Sequence, residues 1–293
     1  MKISVVIPVY KNKEQFLKNL KHNLKYLEEY EIIIVNDYPD ESLKTDLQDF
    51  PSVKLFENTE NLGFGQTVNR GVNQAHGDLV LLLNTDVLLK NDSFKKSVDE
   101  FKNHPNLFAI SFAQEEKNGL IVGKNRFFWK QGMFFHSKAN DLEKGINGWA
   151  EGGSCIIDRS KYLELEGFDK IYKPFYWEDI DLSYRAWKQG YEILFDPTIL
   201  VEHHHESTIG RYFLSSYVKK IAFRNQFFFI WKNITDSNLK TQHFALLLPN
   251  LLYYVMKGEF NFFNGLLAAF KLKSTIKKGK LYKKSDKEIL KNF

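Results

Sequence analysis

Residues 61–89 read NLGFGQTVNRGVNQAHGDLVLLLNTDVLL. A glycine-containing loop enters a predicted helix, the chain returns at His76 and Gly77, and an apolar strand over 79–83 stops abruptly at Asn84-Thr85-Asp86. A carboxylate at the carboxyl end of a buried strand is costly to desolvate unless it meets a cation, a donor or a ligand. In an open α/β sheet that rim is also where ligands bind. Asp86 is therefore the expected centre of a site.

Working outward, the same grammar repeats. Residues 3–9 read as a buried strand of β-branched residues, with Pro8 where the ladder finishes. Phe16, Leu20, Leu24 and Leu27 fall at helical spacing and predict a helix over 13–30. Residues 31–35 (EIIIV) form a second buried strand that ends in Asn36 and Asp37. A short helix over 41–50 and a third strand over 53–56 complete the approach to the loop. Strand and helix alternate, which predicts an α/β fold with a mostly parallel central sheet and flanking helices. A dinucleotide fold wants G-x-G-x-x-G after the first strand, and Tyr10-Lys11-Asn12 stands there instead. A P-loop is absent as well.

Farther along, residues 91–102 read as a capped helix and 107–112 as a strand, while 114–147 show no clean period and read as a long irregular crossover. A strand over 155–158 follows Trp149-Ala150-Glu151-Gly152-Gly153. The stretch 175–181, FYWEDID, enters a helix with acidic residues in its first turn, where the helix dipole favours them. A strand over 192–195 precedes the run Glu202-His203-His204-His205. In an extended segment His203 and His205 share one face.

Composition adds an asymmetry to the net charge of +5. Residues 211–293 carry 16 Lys/Arg against 4 Asp/Glu, and the rest of the chain carries 25 against 32. The basic, aromatic tail suggests an anionic partner surface. Cys155 is the single cysteine, so no internal disulfide forms and a reducing compartment is expected. The N-terminus does not read as a signal peptide, and no apolar run reaches the length of about 20 residues that spans a bilayer. The expected location is cytoplasmic, or peripheral on the inner face of the cell membrane. The apolar segments 244–256 and 262–270, followed by the lysine-rich 271–284, read as in-plane membrane contacts, and so does the run Phe227-Phe228-Phe229-Ile230-Trp231, edged by cations. Packing of the tail on the rest of the chain or in a homodimer competes with that reading.

Taken together, VVIPVYKN, IIIVNDYPDES, the 61–89 stretch and residues 151–191 resemble family 2 glycosyltransferases of the GT-A fold, and within them the rhamnosyltransferase-like branch. The resemblance implies a GT-A catalytic domain over 1–210 (nucleotide-sugar side to about 112, acceptor side beyond) and a helical extension over 211–293. It implies an inverting transfer of a single sugar from a dTDP- or UDP-linked donor to a saccharide or lipid-linked saccharide, with no nucleic-acid partner. Single addition is expected because the tail lacks the Q-x-x-R-W motif of processive synthases. By the resemblance, Pro8, Tyr10, Asn36, Asp37, Asn61, Gly65, Asn69, Asn84 and Asp86 hold the nucleotide-sugar, and Arg70 could meet a phosphate. Trp149, Gly153, Trp177 and Glu178 face the acceptor, and Asp179 is the general base with Glu178 beside it; Asp181 reads as structural. Asp86 and His203, with His205 as the alternative, hold a divalent ion (Mg²⁺ or Mn²⁺), although Asn84 stands where the family has a first carboxylate.

Overall fold

A computed structural model describes residues 1–203, 213–277 and 282–293. His205 lies outside the described residues.

The chain opens with β1 (Ile3–Val9), α1 (Lys13–Leu27), β2 (Glu31–Asn36), β3 (Val53–Glu57), α2 (Phe64–Gln74) and β4 (Leu79–Leu83). The four strands are parallel and lie in the order β3-β2-β1-β4. Their near-continuous apolar sequence is what a sheet covered on both faces requires. α2 crosses close above β1. A Cβ on Gly71 would come within 2.4 Å of Val6 Cγ1 and 3.3 Å of Val35 Cγ2, so glycine sets how near that helix lies.

Beyond β5 (Val87–Leu89) and α3 (Ser97–Asn103), the sheet continues through β6 (Leu107–Glu115). β7 (Ile121–Val122) pairs with β6, β8 (Asn125–Lys130) and β9 (Met133–Lys138) form a separate hairpin, and β10 (Gly145–Ile146) marks the far edge. β11 (Ser154–Asp158) inserts antiparallel between β4 and β6. α4 (Arg159–Glu164) and α5 (Glu178–Lys188) lead to β12 (Glu192–His203), which runs parallel to β6. The result is a mixed sheet whose principal ladders are parallel, with the expected flanking helices.

Three local expectations are corrected. Residues 41–50 form turns rather than a helix. The Glu41 carbonyl is taken by Asn36 Nδ2 at 2.7 Å and the Leu43 N–H by Glu57 Oε1 at 2.9 Å, so side chains capture groups that helical bonds would use. The crossover over 114–147 is not irregular. Two aromatic runs flank Gln131 and Gly132, both at positive φ, in a two-residue hairpin turn. The strand at 192 extends to His203, past an irregularity between Asp196 and Leu200 that contains Pro197.

The third layer is helical: α6 (Ser215–Asn233), α7 (Ser237–Met256), α8 (Phe260–Lys271) and α9 (Asp286–Leu290). Here Phe227, Phe228, Phe229 and Ile230 are buried in the core that includes Phe134, Trp177 and Tyr184. That run is therefore not a surface patch, and the reading of it as a membrane contact is overturned. No described helix is long and apolar enough to cross a membrane.

Gly71→Ala should test the sheet–helix approach. Overpacking against Val6 is expected to cost about 1–3 kcal/mol, read as a lower melting temperature with unchanged circular dichroism.

Candidate active site

Topology gathers the site. Because β2, β1 and β4 are adjacent and parallel, their carboxyl ends deliver Asp37, Val9-Tyr10 and Asn84-Thr85-Asp86 to one rim. β11 runs the other way, so its entrance, Glu151-Gly152-Gly153, reaches the same rim, with Ser154 opposite Leu83. The far half of β12 pairs with β5, setting His203 opposite Val87, the neighbour of Asp86. α5 points its N-terminus, Glu178 and Asp179, into the space between. A cleft of about 640 Å³ is lined by Pro8, Tyr10, Asp37, Asn61, Asn84, Asp86, Trp149, Gly153, Trp177, Glu178, Asp179 and His203 among others. Twelve of the residues singled out from sequence thus share one cavity.

Three do not line it. Asn36 is spent on the backbone: its Oδ1 accepts from Tyr38 N at 3.0 Å in an Asx turn, and its Nδ2 holds Glu41 O. Asn69 clamps residue 168, accepting from its N–H at 2.9 Å and donating to its carbonyl at 2.8 Å. Gly65 faces the Phe168 side chain, 3.0 Å from where its Cβ would sit. Arg70 is likewise turned inward, donating to Glu57 O at 2.8 Å and Asn58 Oδ1 at 2.5 Å.

Asp37 closes one end of the cleft. Its Oδ1 accepts from Asn58 Nδ2 (2.7 Å) and Leu62 N (2.8 Å), and its Oδ2 from Gly63 N (2.9 Å). A carboxylate oxygen accepts about two donors, which leaves Oδ2 room for a ligand N–H. Nearby, Tyr10 and Tyr38 pack edge to face at 5.7 Å.

The Asp86 turn is held from behind by α1. Asn19 Nδ2 donates to Thr85 O at 2.8 Å, and Asn23 bonds Val87 O at 2.9 Å and Leu89 N at 2.8 Å. These buried helix asparagines escaped the sequence reading; polar residues at helical positions 19 and 23, beside an otherwise apolar stripe, were the available signal. Asn84 N donates to Gly153 O at 2.8 Å, and a Cβ on Gly153 would lie 2.2 Å from Asn84 Nδ2. Gly153 is thus required first for clearance of Asn84.

His203 Nε2 lies 3.3 Å from Asp86 Oδ1. On its other side, His203 Nδ1 meets Gln114 Oε1 at 2.5 Å, and Gln114 Nε2 donates to Glu151 Oε2 at 2.5 Å. The glutamine amide is oriented by Glu151, so its oxygen faces His203 and the imidazole carries its hydrogen on Nδ1. Nε2 then faces the Asp86 carboxylate oxygen, a nitrogen and oxygen pair that a proton or a cation can bridge. At that separation Asp86 and His203 could share one divalent ion, the carboxylate suiting Mg²⁺ or Mn²⁺ and the imidazole Mn²⁺ rather than Mg²⁺. No cluster of three potential ligands occurs among the described residues.

At the other wall, burial and the neighbouring Asp179 raise the pKa of Glu178 far above the usual carboxylate range. Its Oε2 is buried without a hydrogen-bond partner. Burial and, next among the raising influences, the Glu151 charge push Asp179 up to about 6, against the pull of the Ile180 N–H at 2.8 Å. Burial lifts both acids, Glu178 further than Asp179, and such a difference in environment is what separates a proton donor from a base. Tyr176 and Trp177, immediately before them, both hold positive φ (70° and 77°), strain that commonly accompanies functional turns. His136, missed from sequence, stands edge-on to Trp149 (5.0 Å) and Trp177 (5.1 Å) in the cleft wall, and desolvation there lowers its pKa to about 4.

With this geometry in hand, comparison with known proteins decides the family: Glycosyl transferase family 2 matches residues 4–165. The chain belongs to glycosyl transferase family 2. An N-acetylglucosaminyl-diphospho-decaprenol L-rhamnosyltransferase of Mycobacterium tuberculosis is 25% identical over 195 residues, covering 56% of this chain and 63% of that one. The match therefore spans less than two thirds of that relative. Two solved structures share the fold. GalNAc-T7 with UDP, GalNAc and Mn²⁺ has a TM-score of 0.62 at 16% identity, covering 88% of this chain and 57% of that one. The Pyrobaculum calidifontis mannosyltransferase PcManGT, in complex with GDP-Man and Mn²⁺, has 0.57 at 15% identity, covering 96% and 76%. The family 2 chain is thus a GT-A fold with a C-terminal helical layer.

The raised pKa of Asp179 has a sign that can be checked. Its folded value lies above the ordinary 3.8, so ionising it penalises the folded state progressively from pH 3.8 and fully above about pH 6. Asp179→Asn should therefore raise the melting temperature at pH 7.5, by up to about 3 kcal/mol of stability, and the gain should vanish near pH 4.

Proposed function

We propose that this protein is an inverting glycosyltransferase that moves one sugar from a nucleotide-sugar to a saccharide acceptor in cell-surface glycan synthesis. The observation that carries the reading is the meeting of the Asp86–His203 pair and the Glu178–Asp179 pair in one cleft.

Asp37 Oδ2 takes the N3–H of a uracil or thymine base, close to the Tyr10 ring. The donor diphosphate lies toward Asp86 and His203, which would hold Mg²⁺ or Mn²⁺; the ion, when bound, neutralises charge on the departing diphosphate. The Mn²⁺ complexes of the two structural relatives support that assignment. Asp179, ionised near neutral pH, accepts the proton of the acceptor hydroxyl as its oxygen bonds to C1 and the C1–O bond to the diphosphate breaks. Glu178, its pKa held far above the ordinary carboxylate range by burial and Asp179, is placed to donate a hydrogen bond to the acceptor. Trp149, Trp177 and His136 form the apolar acceptor wall. dTDP-rhamnose is the first donor to test, in view of the rhamnosyltransferase relative, and a lipid-linked saccharide the first acceptor.

Acceptor-dependent release of nucleoside diphosphate is the expected activity, declining below about pH 6 as Asp179 protonates. Asp179→Asn should lower turnover by at least 10²-fold with donor affinity nearly intact, whereas Glu178→Gln, isosteric with the neutral acid, should lose far less. Absence of release across a panel of donors would favour a catalytically silent carbohydrate-binding scaffold.

Asp86→Ala and His203→Ala should each weaken donor binding about tenfold or more in Mn²⁺, measured by calorimetry, with a smaller effect in EDTA. Equal affinity with and without the ion would remove the metal from the reading.

A further inference from the structure

Helices α7 and α8 leave apolar stripes open to solvent. On α7, Phe244, Leu248, Leu252 and Met256 recur at every fourth residue and are 57, 63, 57 and 87% exposed. On α8, Phe263, Leu267 and Phe270 keep the three-and-four spacing at 40, 43 and 46%. The opposite faces are occupied: Phe262, Leu266 and Ala269 pack into the core, and His243 and Asn250 are buried. Exposed apolar surface on this scale marks a contact with something absent from the single chain.

The charges say what. Between residues 237 and 277 the cations are Lys240, Lys257, Lys271, Lys273 and Lys277, and the one acid is Glu259. Glu259 is already paired with Lys219 of α6 at 2.7 Å. Lys257 lies against the Tyr253 ring and Lys273 against the Phe270 ring, so cations border the apolar side chains themselves. A second copy docked through this face would bring lysines toward lysines, with no free carboxylate among these residues to answer them. An anionic lipid surface answers both features, and neither helix is long and apolar enough to span it.

We infer that the exposed faces of α7 and α8 lie in the headgroup region of an anionic membrane and hold the cleft at a fixed height above it. The coupling to the cleft runs through the β8–β9 hairpin. His243 Nδ1–H donates to Gly132 O at 2.7 Å, and Asn250 Nδ2 donates to Gln131 O at 2.8 Å, so α7 grips the hairpin turn from its buried side. Trp129 Nε1 adds a bond to Gln242 Oε1 at 3.0 Å. Four residues beyond the turn, about 13 Å of strand, His136 enters the cleft wall. A glycan acceptor carried on a lipid would meet that wall without leaving the membrane.

The test uses the full chain sedimented with vesicles of phosphatidylcholine, with and without phosphatidylglycerol. Binding should require phosphatidylglycerol and weaken as salt is raised. Leu248→Ser combined with Leu252→Ser should reduce it at least tenfold, and Lys271→Ala with Lys273→Ala about tenfold or more on the anionic vesicles alone. All four positions are exposed, and an unchanged melting temperature confirms that each variant folds. Protein left in the supernatant with anionic vesicles, or both variants binding as the parent does, overturns the proposal. A concentration-dependent dimer lost in the Leu248/Leu252 variant would assign the face to a second copy instead. Lipid binding is read without turnover, so the result is independent of the transfer reaction.

Discussion

Asp181 is the constraint on which the rest depends. It is fully buried on α5, two residues after Asp179, and it accepts hydrogen bonds from Tyr172 OH (2.8 Å), Arg185 Nε (2.8 Å), Lys232 Nζ (2.9 Å) and Asn233 Nδ2 (2.7 Å). Burial alone would raise its pKa, but Lys232 and Arg185 hold it well below the ordinary value. Two of those partners belong to α6, the first helix of the C-terminal layer. A second buried acid, Asp286 of α9, pairs with Lys188 at the far end of α5 (2.6 Å) and accepts from Tyr184 OH at 2.6 Å. Removing one partner from such a cluster strands a charge in a low dielectric, which costs more than the intact pair contributes. The acid pair at the start of α5 is therefore positioned by side chains from the last third of the chain.

That arrangement recasts the C-terminal segment. A division near residue 210 follows the change in composition, yet the apolar core runs across it, joining Trp177 and Tyr184 to Phe229, Phe262 and Ile289. Phe213 and Ala222 also line the cleft. The segment reads as an appendage because its charge differs from the body; packed, its cations divide into two groups. Lys232 is committed to Asp169 and Asp181 inside the protein, whereas Lys257, Lys271 and Lys273 face outward.

The sheet was legible because buried parallel strands announce themselves as apolar runs, and because three of them end in polar residues that could not be packing. From there the rim residues Asp37 and Asp86 followed, and the family resemblance added Tyr10. What sequence could not settle was how side chains divide backbone groups among themselves. Asn36 and Asp37 are adjacent and chemically alike, yet one is consumed by an Asx turn while the other keeps an acceptor position toward the cleft. Periodicity carries no information about that choice. The hairpin at 125–138 was missed for a different reason: its aromatic density hid the two-residue turn. Phe227 to Ile230 misled in the opposite sense, since an apolar run flanked by lysines looks the same whether it meets lipid or a second layer of the same protein.

The departure at Asn84 bears on charge rather than on shape. The Asn84 amide fills the space left by the missing Cβ of Gly153, and a carboxylate of equal size would fill it alike. It would also add negative charge to a cleft that already gathers Asp86, Glu151, Glu178 and Asp179. Glu151 sits at the junction of the two halves. Through Gln114 it orients His203, and through space its charge helps to raise the pKa of Asp179. A neutral residue at 84 spares the cleft one more like charge, which would push the Asp179 pKa above the position that burial and Glu151 already give it.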